Sequence, residues 1–144
     1  MSMERENTFQ GFTPYQLNSN ETYMNDSQCE HFRSILLNWK AELLQSVAAT
    51  LEEIKQNQQY CPDEADMAAN SILFNWEMVS RDRDRRLMKK IEESLERIKQ
   101  GEYGYCEECG IEIGIPRLEA RPTASKCFDC KTVEEIKDKH RECA

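Results

Sequence analysis

Four cysteines set the chemistry of this chain. Cys106, Cys109, Cys127 and Cys130 follow the spacing C-x2-C-x17-C-x2-C. Each C-x2-C pair brings two thiolates to one metal on a tight turn, and the 17-residue loop lets the pairs meet. Four thiolates close a tetrahedron around one zinc ion and leave no position for water, so the site is structural rather than catalytic. Gly104, Gly110 and Gly114 lie beside or between the pairs and suit the turns. So small a module cannot bury enough apolar area alone, and metal binding then supplies folding free energy. The other cysteines, Cys29, Cys61 and Cys143, are far apart. They read as incidental thiols, with a redox-responsive Cys61 as the alternative.

Other groups carry charge rather than reactivity. Asp63, Glu64 and Asp66 place three carboxylates within four residues. They either cap a helix start, where acids are favoured, or deliver negative charge into a partner's cavity, and one acid can cap while another projects. The run Arg81-Asp82-Arg83-Asp84-Arg85-Arg86, followed by Lys89 and Lys90, is mixed but net positive. Taken alone it reads as a solvated helix face. Arg121 and Lys131 add positive charge near the zinc module, and folding of that module against the helices could bring Lys90, Arg121 and Lys131 to one polyanion. There is no nucleophile–histidine–acid set: the two histidines, His31 and His140, lie near the start of a helix and near the C-terminus. No Gly-rich phosphate loop is present. The chain is not expected to be an enzyme.

Long helices must position these groups. Five glycines and four prolines among 144 residues leave room for uninterrupted runs. Residues 1–24 are polar and read as a mobile tail or a short docked segment. Asn25-Asp26-Ser27-Gln28 supplies cap-type residues. Phe32, Leu36, Trp39, Leu43, Val47, Leu51 and Ile54 then form an apolar stripe, a helix of about 30 residues or ~45 Å. It stops near Gln58–Pro62. A second helix runs to about Gln100, with the stripe Ile72, Trp76, Val79, Leu87, Ile91, Leu95 and Ile98, and Gly101 as its C-terminal cap. Arg83 falls on that stripe and interrupts it. The expected fold class is mainly α: a long antiparallel coiled-coil hairpin over 25–100 with an acidic tip near 61–67, on a small globular base of 101–144. That base holds the zinc finger at 101–130 and a final helix at about 131–142.

Composition narrows the partners. A net charge of −8 argues against duplex-DNA binding, which needs a positive footprint, and favours a protein surface or a cationic groove. No run approaches the ~20 apolar residues of a membrane span, and the N-terminus lacks a signal pattern. A cytoplasmic protein is expected, where thiols stay reduced and seven cysteines are no disulfide framework. A monomer is expected.

From Tyr23 to Lys139 the chain resembles the DksA/TraR zinc-finger family. The likeness is densest in RDRDRRLMKKIEESLERI and in GEYGYCEECGIEIGIPRLEARPTASKCFDCK, and PDEADMA follows the family's tip pattern. The resemblance implies a factor of the stringent response that binds RNA polymerase without specific DNA contact and inserts its coiled coil into the secondary channel. It further implies that open promoter complexes are destabilised. Ribosomal RNA promoters are then inhibited and some biosynthetic promoters activated, with the alarmone ppGpp potentiating the effect. Asp63, Asp66 and Ala68 match functional tip positions. Arg83 matches a position docking on the polymerase rim, and Leu87, Lys90, Arg121 and Lys131 match positions lining ppGpp. Cys61 and Glu64-Ala65 depart from the family's tip. A transcript-cleavage factor of the Gre type is the alternative function. A zinc-ribbon nucleic-acid binder and a purely structural coiled coil are further readings.

Overall fold

A computed structural model describes the backbone of residues 11–58 and 64–143, and the side chains of 11–56 and 78–143. Four helices account for most of it: α1 (Asp26–Gln58), α2 (Glu64–Gln100), α3 (Ile115–Ala120) and α4 (Phe128–Glu142). Among the described residues there is no strand, only an isolated antiparallel bridge between Tyr105 and Glu112. The chain is mainly α, as the breakers and stripes predict. Residues 1–10, Cys61, Pro62 and Asp63 lie outside the described residues, as do the side chains of Asp66, Ala68, Ile72 and Trp76.

The ends of the long helices follow from local chemistry. Asn25 caps α1: its Oδ1 accepts from the Gln28 amide at 2.9 Å. Gln28 reaches back, its Oε1 accepting from the Met24 amide at 2.8 Å, a capping box displaced by one residue. Where α2 ends, Gly101 takes φ 76° after the last turn. Its amide donates to Ile98 O (3.2 Å) and the Glu102 amide to Arg97 O (2.9 Å), the paired bonds of a Schellman motif.

The chain divides into two compact units: residues 37–92, and residues 1–36 with 93–144. In the first, the two helical segments run antiparallel. Lys40 near the start of one reaches Glu92 at the end of the other, at 3.0 Å. Trp39, Leu43, Leu87 and Ile91 form the buried seam. The stripes need correction here. Leu51 is 42% exposed and Val79 60% exposed, whereas Val47 and Ile54 are half-buried as the stripe predicts, with Thr50 in the place expected of Leu51. Leu37 and Leu44 are exposed with Leu51, so a second seven-residue row faces outward. Arg83 does not interrupt the seam either: it is exposed, and the half-buried positions before Leu87 are Arg81 and Asp84.

In the second unit, Phe32, Leu36, Tyr103, Ile113, Ile115, Leu118, Pro122 and Ala124 make a core around the cysteine module. Phe32 meets Tyr103 with ring centroids 5.6 Å apart. Two elements differ from expectation. Six residues of the 17-residue loop are helical (α3), with Gly114 at its N-cap and a proline in its first turn. The last helix starts at Phe128 rather than near 131, so Cys130 sits in its first turn.

Candidate metal centre

The first cysteine pair sits on a looped ribbon. The Cys106 amide donates to Ile111 O (2.8 Å), the Gly110 amide to Cys106 O (2.9 Å) and the Ile113 amide to Gly104 O (2.8 Å). Gly104, Gly110 and Gly114 adopt φ of 90°, 75° and 99°, a region costly for residues with a Cβ. The second pair is held by a helix start. Cys127 is the N-cap of α4, and its sulfur accepts from the Cys130 amide at 3.5 Å.

These elements bring all four sulfurs within 4.8 Å of one another. Cys109 and Cys127 Sγ are 3.7 Å apart. A tetrahedron with zinc–sulfur bonds of ~2.3 Å has edges of about 3.8 Å, so the donor set fits one zinc ion. Cys106 and Cys127 are buried, Cys130 half-buried and Cys109 exposed. Burial pushes the Cys106 thiol up, but hydrogen bonds from the backbone of Cys127, Cys109 and Glu108 outweigh it and bring the thiol down to about 6. Cys130, beside the sulfurs of Cys127 and Cys109, is pushed up. Zinc takes cysteines as thiolates, so any proton a ligand still carries must leave when the ion binds.

Several side chains that spacing does not reveal brace this centre. Arg97, in the last turn of α2, donates to Glu102 O (3.1 Å) and Tyr105 O (2.7 Å) and lies 3.6 Å from Glu107. The buried Tyr103 hydroxyl donates to Pro122 O at 2.6 Å. Lys126 bridges Glu108 (3.1 Å) and Glu134 (2.8 Å), and Lys131 holds the other Glu134 oxygen at 2.7 Å. Hydrogen bonds from Lys126 and then Lys131 hold the Glu134 carboxyl down at about 2. Residues just before α1 reach this unit: the Tyr15 amide donates to Glu119 (2.6 Å), and His31 lies among Phe12, Tyr15 and Phe32. The Gly101 Schellman turn is the one sequence signal for the Arg97 contacts, because it folds residues 102–107 back on the last turn of α2.

The remaining candidate residues are distributed along the helices. Arg83 and Lys90 are exposed on α2, and Leu87 is buried one turn before Lys90. Arg121 is the exposed C-cap of α3, and Lys131 lies in the first turn of α4, committed to Glu134. Asp66 and Ala68 belong to the first two turns of α2. Cys29 is half-buried and Cys143 exposed, and none of the described cysteines is in a disulfide. Among the described residues no helix is long and apolar enough to cross a membrane.

Comparison with known proteins adds an independent line. Residues 28–98 match the N-terminal domain of DnaK suppressor protein DksA, and residues 101–135 match the prokaryotic dksA/traR C4-type zinc finger. The RNA polymerase-binding transcription factor DksA of Escherichia coli (strain K12) is 47% identical over 129 residues, 90% of this chain and 85% of that protein. Its namesake from Haemophilus influenzae is 46% identical over 90% of this chain and 89% of its own length. The solved structure of transcription factor DksA2 from Pseudomonas aeruginosa superposes with a TM-score of 0.75 at 36% identity, covering 82% of this chain and 91% of that one. With a four-sulfur cluster that fits zinc and a likeness running through both helical and zinc-finger parts, the chain belongs to the DksA/TraR zinc-finger family.

Proposed function

We propose that this chain binds RNA polymerase directly and regulates transcription initiation. In this reading the helical pair enters the secondary channel, and Asp63, Asp66 and Ala68 act near the catalytic centre. Open complexes are destabilised, so ribosomal RNA promoters are inhibited and some biosynthetic promoters activated. Arg83 docks on the polymerase rim. Leu87, Lys90, Arg121 and Lys131 line a ppGpp contact formed with the polymerase. The observation that carries the proposal is the 47% identity over 90% of the chain to a factor described as RNA polymerase-binding. The exposure of Arg83, Lys90 and Arg121 supports it, since cations that meet a partner or a pyrophosphate must be accessible. Lys131 would exchange Glu134 for phosphate.

Transcription in vitro by bacterial RNA polymerase from a ribosomal RNA promoter tests the proposal. Inhibition deepened by ppGpp is the expected result, and Asp66→Asn should weaken inhibition while keeping polymerase affinity. Inhibition indifferent to ppGpp removes the alarmone contact. Stimulated cleavage of backtracked RNA without inhibition replaces the reading with the Gre-type one.

A further inference from the structure

The two halves of the metal centre are unequally supported. Cys127 and Cys130 belong to the start of a 15-residue helix, whose own hydrogen bonds fix their backbone. Cys106 and Cys109 belong to a ribbon with a single bridge, Tyr105 to Glu112, opened by Gly104 and closed by Gly114. An isolated two-stranded ribbon is marginally stable at best, and glycine turns add freedom rather than remove it. Something outside the ribbon must hold it.

Arg97 braces the ribbon's middle, at Tyr105 and Glu107, and Tyr23 makes the contacts that join its two ends. Tyr23 lies three residues before α1 and 81 and 91 residues from the two glycines. Its hydroxyl donates to Gly104 O at 2.8 Å and accepts from the Gly114 amide at 2.9 Å. One hydroxyl thus ties together both ends of the segment that carries the first two ligands. The Tyr23 ring meets Tyr105 edge-on, with centroids 5.6 Å apart. Met24 completes the clasp. A Cβ on Gly104 would stand 2.7 Å from Met24 Cγ, so the bare glycine is what lets Met24 lie on the ribbon. Burial pushes the Tyr23 hydroxyl up, so it stays neutral and keeps its proton to donate at neutral pH.

We propose that Tyr23 is a positioning residue for the metal centre: its hydroxyl staples the Gly104 and Gly114 turns, so zinc retention is linked to docking of the turn that opens α1. By reciprocity, bound zinc strengthens that docking as much as docking strengthens zinc binding. The inference is independent of what the chain regulates.

The test uses the full zinc-loaded chain and reads the rate at which zinc passes to an excess of a chromogenic chelator. Tyr23→Phe keeps the ring and removes the staple. Tyr15→Phe is the control, because it deletes a hydroxyl contact of the same segment, to Glu21 at 2.8 Å, without touching the ribbon. Loss of a group bonded directly to a ligand costs ~10–100-fold in metal affinity, and Tyr23 acts one step further out, so the low end of that range applies. We expect zinc to leave Tyr23→Phe about tenfold faster than it leaves Tyr15→Phe, and equal rates overturn the proposal. A second measurement needs no variant. The staple is the hydrogen bond that the structure gives the Gly114 amide, so that amide should be protected from exchange in the loaded wild-type chain. Exchange at the rate of an open loop overturns the proposal as well.

Discussion

The helical pair of residues 37–92 and the metal-containing unit are stabilised in opposite ways. The pair has a narrow repeating seam, and its described buried apolar side chains are Trp39, Leu43, Leu87 and Ile91. Its contacts repeat by turn, so its stability is spread over many small contributions. The metal unit concentrates stability in single points: four sulfurs, the Tyr103 and Tyr23 hydroxyls, the Arg97 guanidinium. All of these points except Arg97 join segments distant in sequence. A distributed seam tolerates the loss of one member, and a point-held fold does not. An unevenly built chain of this kind should fail unevenly.

Metal removal gives the largest difference. Structural zinc contributes ~10–16 kcal/mol of apparent binding free energy that is also folding free energy. Strong chelation, or Cys127→Ser, should open residues 101–130 to protease while 37–92 stay protected. Limited proteolysis with mass mapping checks this, and uniform cleavage of both units would abolish the contrast. Core truncation comes next. Phe32 is fully buried against Tyr103, and Phe32→Ala should cost ~3–5 kcal/mol. Leu44 is 53% exposed, and Leu44→Ala should stay within ~0.5 kcal/mol. Urea unfolding of the two variants sets one unit directly against the other.

The same contrast explains what was legible in the sequence. The cysteine spacing named the metal ligands because ligand geometry is local in each pair. The long helices were legible because stripes and breakers act over many residues. The facing of Leu51 was not, although Val47 and Ile54 keep the side the stripe gives them. Leucines recur at 37, 44 and 51 with the same seven-residue period as the buried row, and apolar content alone cannot choose between two parallel rows. Thr50, a poorer hydrophobe, sits nearer the seam than Leu51. Helix α3 was hidden because six residues are too few to show a period, leaving only its glycine N-cap and early proline as signals. Tyr23 and Tyr103 escaped because their contacts join residues 19 to 91 apart. No local pattern encodes such a pairing.

A smaller effect sharpens the comparison inside the metal unit. Tyr103→Phe strands the Pro122 carbonyl in a buried site, which should cost ~1–3 kcal/mol. It should also change the alkaline limb of stability. Burial, with a smaller contribution from neighbouring Tyr23, pushes the Tyr103 hydroxyl well above its ordinary value of ~10. A raised folded-state value means the contribution is fully present below pH ~10 and is lost as pH rises beyond it. Wild type should lose stability faster than Tyr103→Phe above that pH. Thermal melts of both proteins between pH 8 and pH 11, as rough bounds, read the difference, and parallel curves would remove Tyr103 from the account.

The smallest expected effect lies in the helical pair, and it tests whether any single polar contact matters there. Lys40 and Glu92 meet at 3.0 Å with 32% and 56% of their side chains exposed. Water screens such a pair, and holding two long side chains in place opposes the Coulomb gain, leaving ~0–1 kcal/mol. A double-mutant cycle of Lys40→Met and Glu92→Gln should return a coupling in that range that fades in high salt. A coupling above ~2 kcal/mol would mean that the pair, too, is pinned at a point. The division between a distributed seam and a point-held metal unit would then fail at its weakest contact.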